Sequence, residues 1–320
     1  SRMKQDIFEK PRHMTSIGGQ ALIEGLMMIG PKEAAIAIRK PDGEIIVEKR
    51  PVPKKSKFSK LPIIRGFVGI FKQMVLGIKA LMYSAEFVDL EEDEGKGPSK
   101  VDKFLDRILG DKLQDVLIYI SVIFSIIFSV LLFMVLPNLV ASFLPIDKST
   151  SVGSIIYNVV EGIVRVGLFI LYMALTSTMK DIKRVWQYHG AEHKTIHCYE
   201  NEEELTVENV KKYSTRHPRC GTSFLFTVMI VSILVFSLVG QHGLWINILL
   251  RVILIPLVAG ISYEIIKISG RSQLKIARII NTPGLMFQGF TTREPDDSQI
   301  EVAIEAMKNV LVDNKEEDKW

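Results

Sequence analysis

The sequence predicts a mainly α-helical protein, a polytopic membrane helical bundle that carries a small N-terminal β-hairpin and a cytoplasmic amphipathic helix and tail. Hydrophobic residues make up 48% of the 320 residues and the mean hydropathy is +0.22, which is high for a soluble protein. The excess lies in four long apolar blocks, and the basic residues cluster beside them. The net charge of +4 is too small to indicate a nucleic-acid partner.

Each apolar block is long enough to cross a bilayer. The blocks lie at residues 116–136, 155–179, 223–239 and 244–268, and the first continues past Pro137. A helix needs about 17–25 apolar residues to cross about 30 Å of hydrocarbon. Buried core helices of a large soluble protein are the alternative, but all four blocks are long and uniformly apolar. We therefore predict about four spans.

The distribution of Lys and Arg predicts the orientation of these spans. Loop 145–154 carries one basic residue and loop 240–243 carries none, whereas loop 180–221 carries eight. Further basic residues follow the fourth block. Because cytoplasmic loops are enriched in Lys and Arg, we expect a multi-pass protein of the inner (plasma) membrane with both termini in the cytoplasm.

The N-terminal part of the chain divides into two regions. Residues 1–60 form a cytoplasmic segment with a hairpin, whose strands 34–39 and 44–48 flank the turn Pro41-Asp42-Gly43. Residues 61–90 contain an interfacial amphipathic helix with a basic stripe that would contact anionic lipids. The stripe consists of Arg65, Lys72 and Lys79. A re-entrant or spanning helix is the alternative for this segment.

The rest of the chain is predicted as a linker, a membrane domain and a tail. Residues 91–115 form the linker, and residues 116–268 form the four-span domain with the cytoplasmic loop 180–221. The tail 269–320 contains a helix, because apolar residues recur at helical spacing after the N-cap candidates at 296–298. From Asp313 onward we expect the chain to be frayed.

Two short motifs in and beside the cytoplasmic loop predict a metal site. His189-Gly-Ala-Glu192-His193 places two imidazoles one helical turn apart. His217-Pro-Arg-Cys220 adds an imidazole and a thiol, and this thiol and Cys198 are both expected to be reduced. Zinc, or another divalent transition metal, prefers nitrogen and sulfur ligands. We therefore predict His189, His193, His217 and Cys220 as metal ligands.

The number of ligands decides between two kinds of zinc site. Four protein ligands would close the tetrahedron and make a structural site, whereas three would leave a position for water, with Glu192 as the catalytic base. In a site with three protein ligands, Cys220 would not bind the metal directly, or Glu264 would replace one histidine as a ligand. His197 extends the site or is simply solvated. Alternatively, these histidines bind no metal and hydrogen-bond carbonyl groups at the membrane surface.

Three ionisable residues lie inside the predicted spans. Glu161 and Arg165 are four residues apart and can pair along one helix face, and Arg251 can reach Glu161 from another helix. Such groups face the bundle interior or a wet cavity. They either fix the helix register or line a polar pathway.

Four segments resemble the bacterial YqhQ family over nearly the whole chain. They are residues 18–28 (GGQALIEGLMM), 188–194 (YHGAEHK), 217–224 (HPRCGTSF) and 291–296 (TTREPD). The resemblance implies metal at the histidine motifs, in proteins of a bacterial cell membrane whose function is unknown. It also directs attention to Gln20 and Glu24, which would share one face of a helix and reach the same pocket, or would cap the hairpin.

These observations predict a metal-dependent integral membrane enzyme, hydrolase-like, at the cytoplasmic leaflet. Metal-activated water would attack a carbonyl or phosphoryl group, Glu192 would accept its proton, and Lys194 or Arg219 would hold the developing anion. A membrane scaffold or assembly factor with a structural metal site, and a channel or transporter, are the alternatives. The sequence leaves the substrate and a homo-oligomer open, and it contains neither a P-loop nor a dinucleotide fingerprint.

Overall fold

The computed structural model describes residues 11–52, 61–87, 113–240, 242–272 and 274–320. Four strands come first: β1 (Gly18–Leu22), β2 (Gly25–Ile29), β3 (Glu33–Arg39) and β4 (Ile45–Pro51). The helices are α1 (Ile64–Ala85), α2 (Leu113–Val130), α3 (Leu136–Ser142), α4 (Ser151–Thr176), α5 (Lys180–Glu200), α6 (Val207–Val210), α7 (Gly221–Val239), α8 (Leu244–Arg271), α9 (Lys275–Thr291) and α10 (Asp297–Lys308). A π-helical turn, Leu131–Val135, joins α2 to α3. Of the predicted linker 91–115, residues 91–112 lie outside the described residues, and residues 113–115 belong to α2.

The strands form an antiparallel sheet in the order β1-β2-β3-β4. The predicted hairpin is confirmed as β3 and β4, but β1 and β2 were not predicted. Their sequence lacks apolar–polar alternation because both faces of the sheet are covered. Leu26 and Met28 pack against α5 and α10, while Leu22 and Met27 belong to a second core with Ala80 of α1.

Among the described residues, five helical segments are long and apolar enough to cross a membrane, so the fold class is confirmed with one more candidate span than predicted. Four of them, Ile123–Ser142, Ser151–Thr176, Gly221–Val239 and Trp245–Arg271, match the predicted blocks. The fifth is α1, which has the lowest mean hydropathy of the five, 1.2. This is the segment that was predicted to lie at the interface, with a spanning helix as the alternative.

The predicted ion network inside the bundle is confirmed. Glu161 of α4 accepts hydrogen bonds from Arg165 and from Arg251 of α8, each at 2.5 Å. Arg165 also donates from Nε to the carbonyl oxygen of Phe133, 2.8 Å away in the π-helical turn. A π-bulge displaces the helical hydrogen-bond ladder, and here a carbonyl of that turn accepts from a side chain of another helix.

The tail is folded against the rest of the protein. Helix α10 is confirmed and begins with a capping box between Asp296 and Gln299. Helix α9, which packs on α7 and α8, was not predicted. The expectation that the chain is frayed from Asp313 was wrong, because Asp318 is fully buried and accepts hydrogen bonds from Thr15 and Tyr199. The first and last described segments therefore lie side by side.

Candidate metal centre

Helix α5 carries the predicted histidines and is enclosed on every side along its second half. All thirteen residues from Tyr188 to Glu200 are buried. Most of them are polar, whereas a surface helix buries only one apolar stripe. Helix α5 lies between β1, α10 and the segment that follows α9. In that segment the backbone N–H of Arg293 donates to the carbonyl oxygen of Trp186 on α5 at 2.9 Å. Buried polar groups need partners, so the contacts of these side chains are informative.

Three of the four predicted ligands come together. The ligand atoms of His189, His193 and Cys220 all lie within 4.8 Å of one another. The Nε2 atom of His189 is 3.2 Å from Cys220 Sγ, and the ring centroids of His189 and His193 are 4.4 Å apart. We call these three residues the HHC cluster.

Backbone carbonyl groups fix the two imidazoles of the HHC cluster. Nδ1 of His189 donates to the Thr291 oxygen at 2.7 Å, and Nδ1 of His193 donates to the Thr215 oxygen at 2.6 Å. Because Nδ1 must carry the proton in such bonds, neutral His193 has its lone pair on Nε2. That Nε2 atom is buried and has no hydrogen-bond partner. Metal-binding histidines are typically held in this way through the other ring nitrogen.

Glu192 lies beside the HHC cluster and also has one unpartnered atom. Its Oε1 accepts a hydrogen bond from the backbone N–H of Gly19 at 2.8 Å, while its Oε2 is buried without a partner. Burial raises the pKa of this carboxyl group, and the nearby His189 and His193 oppose that shift. The carboxylate is thus fixed at one oxygen and available at the other.

The charges within the HHC cluster favour a thiolate on Cys220 and a protonated imidazole on His189. Burial raises the pKa of the Cys220 thiol, but His193 and His189 outweigh it and hold this pKa well below its usual value. Burial lowers the pKa of His189, while the Cys220 thiolate raises it to a net value of about 9. A thiolate is the form of cysteine that binds metals.

A second group of potential ligands lies one turn further along α5. His197, Glu200 and His217 also offer ligand atoms within 4.8 Å of one another. Glu200 is already paired with the Arg219 guanidinium and accepts from the Thr15 N–H at 2.9 Å. A cation in this group would meet the positive charge of Arg219, so the HHC cluster is the better metal candidate. Burial lowers the pKa of His197 to about 4.

The structure therefore divides the predicted ligands between two groups. His189, His193 and Cys220 form one with Glu192 adjacent, whereas His217 lies in the other, its ring centroid 5.7 Å from that of His193. Glu264, the alternative ligand, instead pairs with Arg65 of α1.

The other residues singled out from the sequence are engaged outside the HHC cluster. Lys194 pairs with Glu294 at 2.6 Å, so neither it nor Arg219 is an unpaired cation. Gln20 lies against Gly77 of α1. Glu24 pairs with Arg184 and accepts from the Tyr188 hydroxyl at 3.3 Å. Gln20 and Glu24 lie on a strand and a turn, not on a helix.

Sequence reasoning missed three backbone contributions to the site. Gly19 donates to Glu192, and the carbonyl groups of Thr215 and Thr291 accept from the two histidines. Gly19 and Thr291 do lie in segments that resemble the YqhQ family, so those motifs were the available signal. A backbone carbonyl has no residue signature of its own.

The comparisons with known proteins agree with this resemblance. The model of the family described as "Protein of unknown function (DUF1385)" matches residues 61–313. The chain belongs to this family. It is also 35% identical over 306 residues to the "Uncharacterized protein YqhQ" of Bacillus subtilis (strain 168), a match that covers 92% of each chain. No solved structure matches. DUF1385 membership and the apolar helices identify a multi-pass membrane protein of an uncharacterised family.

Proposed function

We propose that this DUF1385 protein is a zinc-dependent hydrolase that works at the cytoplasmic surface of the bacterial cell membrane. His189, His193 and Cys220 would hold the metal, and Glu192 would be the general base. One observation carries the proposal: His193 Nε2 and Glu192 Oε2, on consecutive residues, are both buried without a hydrogen-bond partner, and the ligand atoms of His189, His193 and Cys220 lie within 4.8 Å of one another. Buried polar atoms without a partner are rare in folded proteins, and a bound ion or water is one common reason for them.

The chemistry of the donors fits zinc. Two imidazole nitrogens and one thiolate match the ligands that zinc prefers, and three protein ligands leave the fourth tetrahedral position open. When bound, zinc would lower the pKa of a water in that position and polarise a substrate carbonyl or phosphoryl group.

The protein's own residues would position the reactants and move the proton. The Gly19 N–H holds Glu192 Oε1, so Oε2 is the atom that would accept the proton and pass it to the leaving group. Burial raises the pKa of Glu192, which makes its carboxylate a stronger proton acceptor than an exposed one. The spacing H-x-x-E-H assigns the same roles in zinc hydrolases of the inverzincin class.

A structural zinc site in a scaffold protein is the second candidate. It is favoured by the position of His217, whose ring centroid is 5.7 Å from that of His193. A rotation of this side chain could supply a fourth ligand and close the tetrahedron, which would leave no position for water.

Metal analysis of the full chain purified in detergent tests the ligand set. After removal of metal with EDTA and reloading with zinc, we expect about one zinc per chain by elemental mass spectrometry. His193→Ala should lose this zinc, whereas His242→Ala, which removes an imidazole from the loop between α7 and α8, should retain it. Glu192→Gln should also retain it, because that side chain would be a base and not a ligand. Full occupancy in His193→Ala would refute the ligand set.

Cobalt substitution separates the hydrolase from the scaffold. The protein loaded with cobalt(II) should show a thiolate-to-cobalt charge-transfer band, which Cys220→Ser removes and Cys198→Ser keeps. Acetohydroxamate should change the visible spectrum by occupying an open position. An unchanged spectrum would show a closed site and would contradict the hydrolase.

A further inference from the structure

Helix α9 has three different sectors around its axis, and the rest of the protein covers only one of them. Because an α-helix has 3.6 residues per turn, the residues that α9 buries fall on one continuous strip. These buried residues are Ala277, Asn281, Gly284, Leu285, Phe287, Gln288 and Thr291. A second strip is polar and exposed, and it contains Lys275, Arg278 and Thr282. The surface between these two strips is apolar and also exposed.

The apolar sector of α9 consists of Ile276, Ile279, Ile280 and Met286. Their side chains are 63%, 70%, 43% and 67% exposed, respectively. An apolar stripe about 100° wide normally faces the core of a protein. A contiguous apolar patch that is left exposed marks a surface that contacts another protein or a membrane. The apolar sector therefore needs a partner that the chain itself does not provide.

Both ends of α9 lie at the same end of the helical bundle. The helix begins at Lys275, shortly after the last residue of α8, and it ends at Thr291, whose carbonyl oxygen holds His189 of α5. Helix α5 in turn follows the last residue of α4. The 17 residues of α9 span about 25 Å, less than the thickness of a bilayer's hydrocarbon core. Helix α9 therefore does not cross the membrane.

Contacts with two candidate spans define the level at which α9 lies. The ring of Phe287 stacks on Phe169 of α4, with the centroids 5.3 Å apart. Phe169 is seven residues before the last residue of α4, which corresponds to about 10 Å along that helix. Gly284 lies against Ser223, the third residue of α7. Helix α9 therefore packs beside the terminal turns of these spans, at the level where headgroups meet acyl chains.

Lipid is the partner that fits all of this exposed surface. Helices α7 and α8, on which α9 packs, expose Leu225 and Ile268 close to the same end of the bundle, so the apolar surface of the spans extends to the level of α9. The exposed Lys275 on the polar sector provides a positive charge that anionic headgroups attract. A soluble protein partner would have to reach into the level of the acyl chains to cover the same apolar sector.

We propose that α9 is an interfacial helix in the leaflet on the α5 side of the bundle, with its apolar sector among the acyl chains and Lys275 at the headgroups. Amphipathic helices in this position bury their apolar face about 5–10 Å into the boundary between headgroups and chains. Because Thr291 connects α9 to His189, the inserted helix fixes the HHC cluster at the membrane surface. The proposal concerns contact with lipid alone, and it does not depend on zinc or on the proposed hydrolase.

Fluorescence quenching of the full chain in vesicles tests this proposal. Ile279→Cys places a bimane label on the apolar sector, and the matched control Thr282→Cys places it on the polar sector of the same helix. Both use the Cys198→Ser, Cys220→Ser background, in vesicles of phosphatidylcholine and phosphatidylglycerol with iodide on both sides. We expect lipids brominated on their acyl chains to reduce the emission at position 279 at least about twofold. Iodide should quench the label at position 282 and leave the label at position 279 unchanged.

Three results would overturn the proposal. Quenching at position 279 by iodide would show that the apolar sector faces water. Protection of this position from both quenchers would show that protein covers it, such as a second copy of the chain. Equal quenching of the two labels by brominated lipids would show that α9 is fully embedded and not interfacial. If Ile279→Cys does not fold, Ile276→Cys decides, because Ile276 lies on the same sector and is 63% exposed.

Discussion

At the scale of single residues, the two cysteines show how the same thiol behaves in different surroundings. Neither Cys198 nor Cys220 forms a disulfide. Cys198 lies on α5, and its sulfur is 3.5 Å from the carbonyl oxygen of Glu204. Burial, with the nearby Glu203, raises the pKa of Cys198 to about 12, whereas two histidines lower the pKa of Cys220. The surroundings therefore favour the thiol form of Cys198 and the thiolate form of Cys220.

This difference predicts the pattern of alkylation. N-ethylmaleimide should modify Cys220 in protein stripped with EDTA, because the thiolate is the nucleophile. Zinc should slow this reaction strongly, and Cys198 should stay largely unmodified in both samples. Peptide mass spectrometry measures both sites at once, and the Cys198→Ser variant provides the control. If zinc left the modification rate of Cys220 unchanged, that residue would not be a ligand.

Gly19 allows a second prediction at this scale. An added Cβ would lie 2.5 Å from the carbonyl oxygen of Met27 and 3.1 Å from Cδ of Glu192. Gly19→Ala should therefore displace the carboxylate and destabilise the protein by about 1–3 kcal/mol, as overpacking typically does. The melting temperature and the acetohydroxamate response of the cobalt protein measure the two effects.

Gly18→Ala is the matched control, because its Cβ would meet nothing within 4 Å. Equal behaviour of the two variants would show that the close approach of β1 to Glu192 does not matter for the site.

At the scale of elements, helix α5 depends on a close approach to the segment after α9. A Cβ on Gly190 would overlap the carbonyl oxygen of Arg293, and the neighbouring Thr291 carbonyl holds His189. Gly190→Ala should separate the two segments, lower the melting temperature and weaken zinc binding. Gly167→Ala places the same methyl group on α4 in open space and should leave both properties unchanged. Zinc titration and thermal unfolding distinguish the two, and normal zinc affinity in Gly190→Ala would contradict this account.

Elements with a simple periodicity could be predicted from the sequence, and those that depend on three-dimensional surroundings could not. The apolar blocks and the capped helix α10 have strong local signals. Helix α9 and strands β1 and β2 lack such signals because their burial is decided by neighbours distant in the sequence. The spacing of His189 and His193 predicted their common face, but nothing in His217-Pro-Arg-Cys220 shows which of its ends faces His193. Which of the two residues faces His193 depends on the conformation of the turn before α7. Cys220 is the N-cap residue of α7.

At the scale of the whole molecule, the sheet, α5 and the tail belong to one unit at one end of the spans. Thr15 pairs with Lys319 in an isolated β-bridge, and Thr15 also donates to Glu200 at the end of α5. Residues 145–150, before α4, and residues 242–243, before α8, lie at the ends of these two helices that are opposite to α5 and α9. Together with the distribution of basic residues, this arrangement favours a cytoplasmic position for the whole unit.

Cysteine labelling on intact cells tests this orientation. A cysteine introduced at Lys148, an exposed residue of the short loop before α4, should react with a membrane-impermeant maleimide. One introduced at Lys315, exposed near the tail, should react only after the membrane is permeabilised. Both variants use the Cys198→Ser, Cys220→Ser background. The reverse pattern would place the HHC cluster on the outer side.

The carbonyl group of Thr291 that holds His189 is 102 residues away along the chain, and the last two candidate spans lie between them. A nascent chain cannot form this contact until α7, α8 and α9 have been synthesised. If the proposed zinc site is correct, loading of the ion is therefore a late event in biogenesis, after synthesis has passed Thr291. With such a site, a cell short of zinc would accumulate finished but unloaded chains, and zinc supplied later could fill them without new translation.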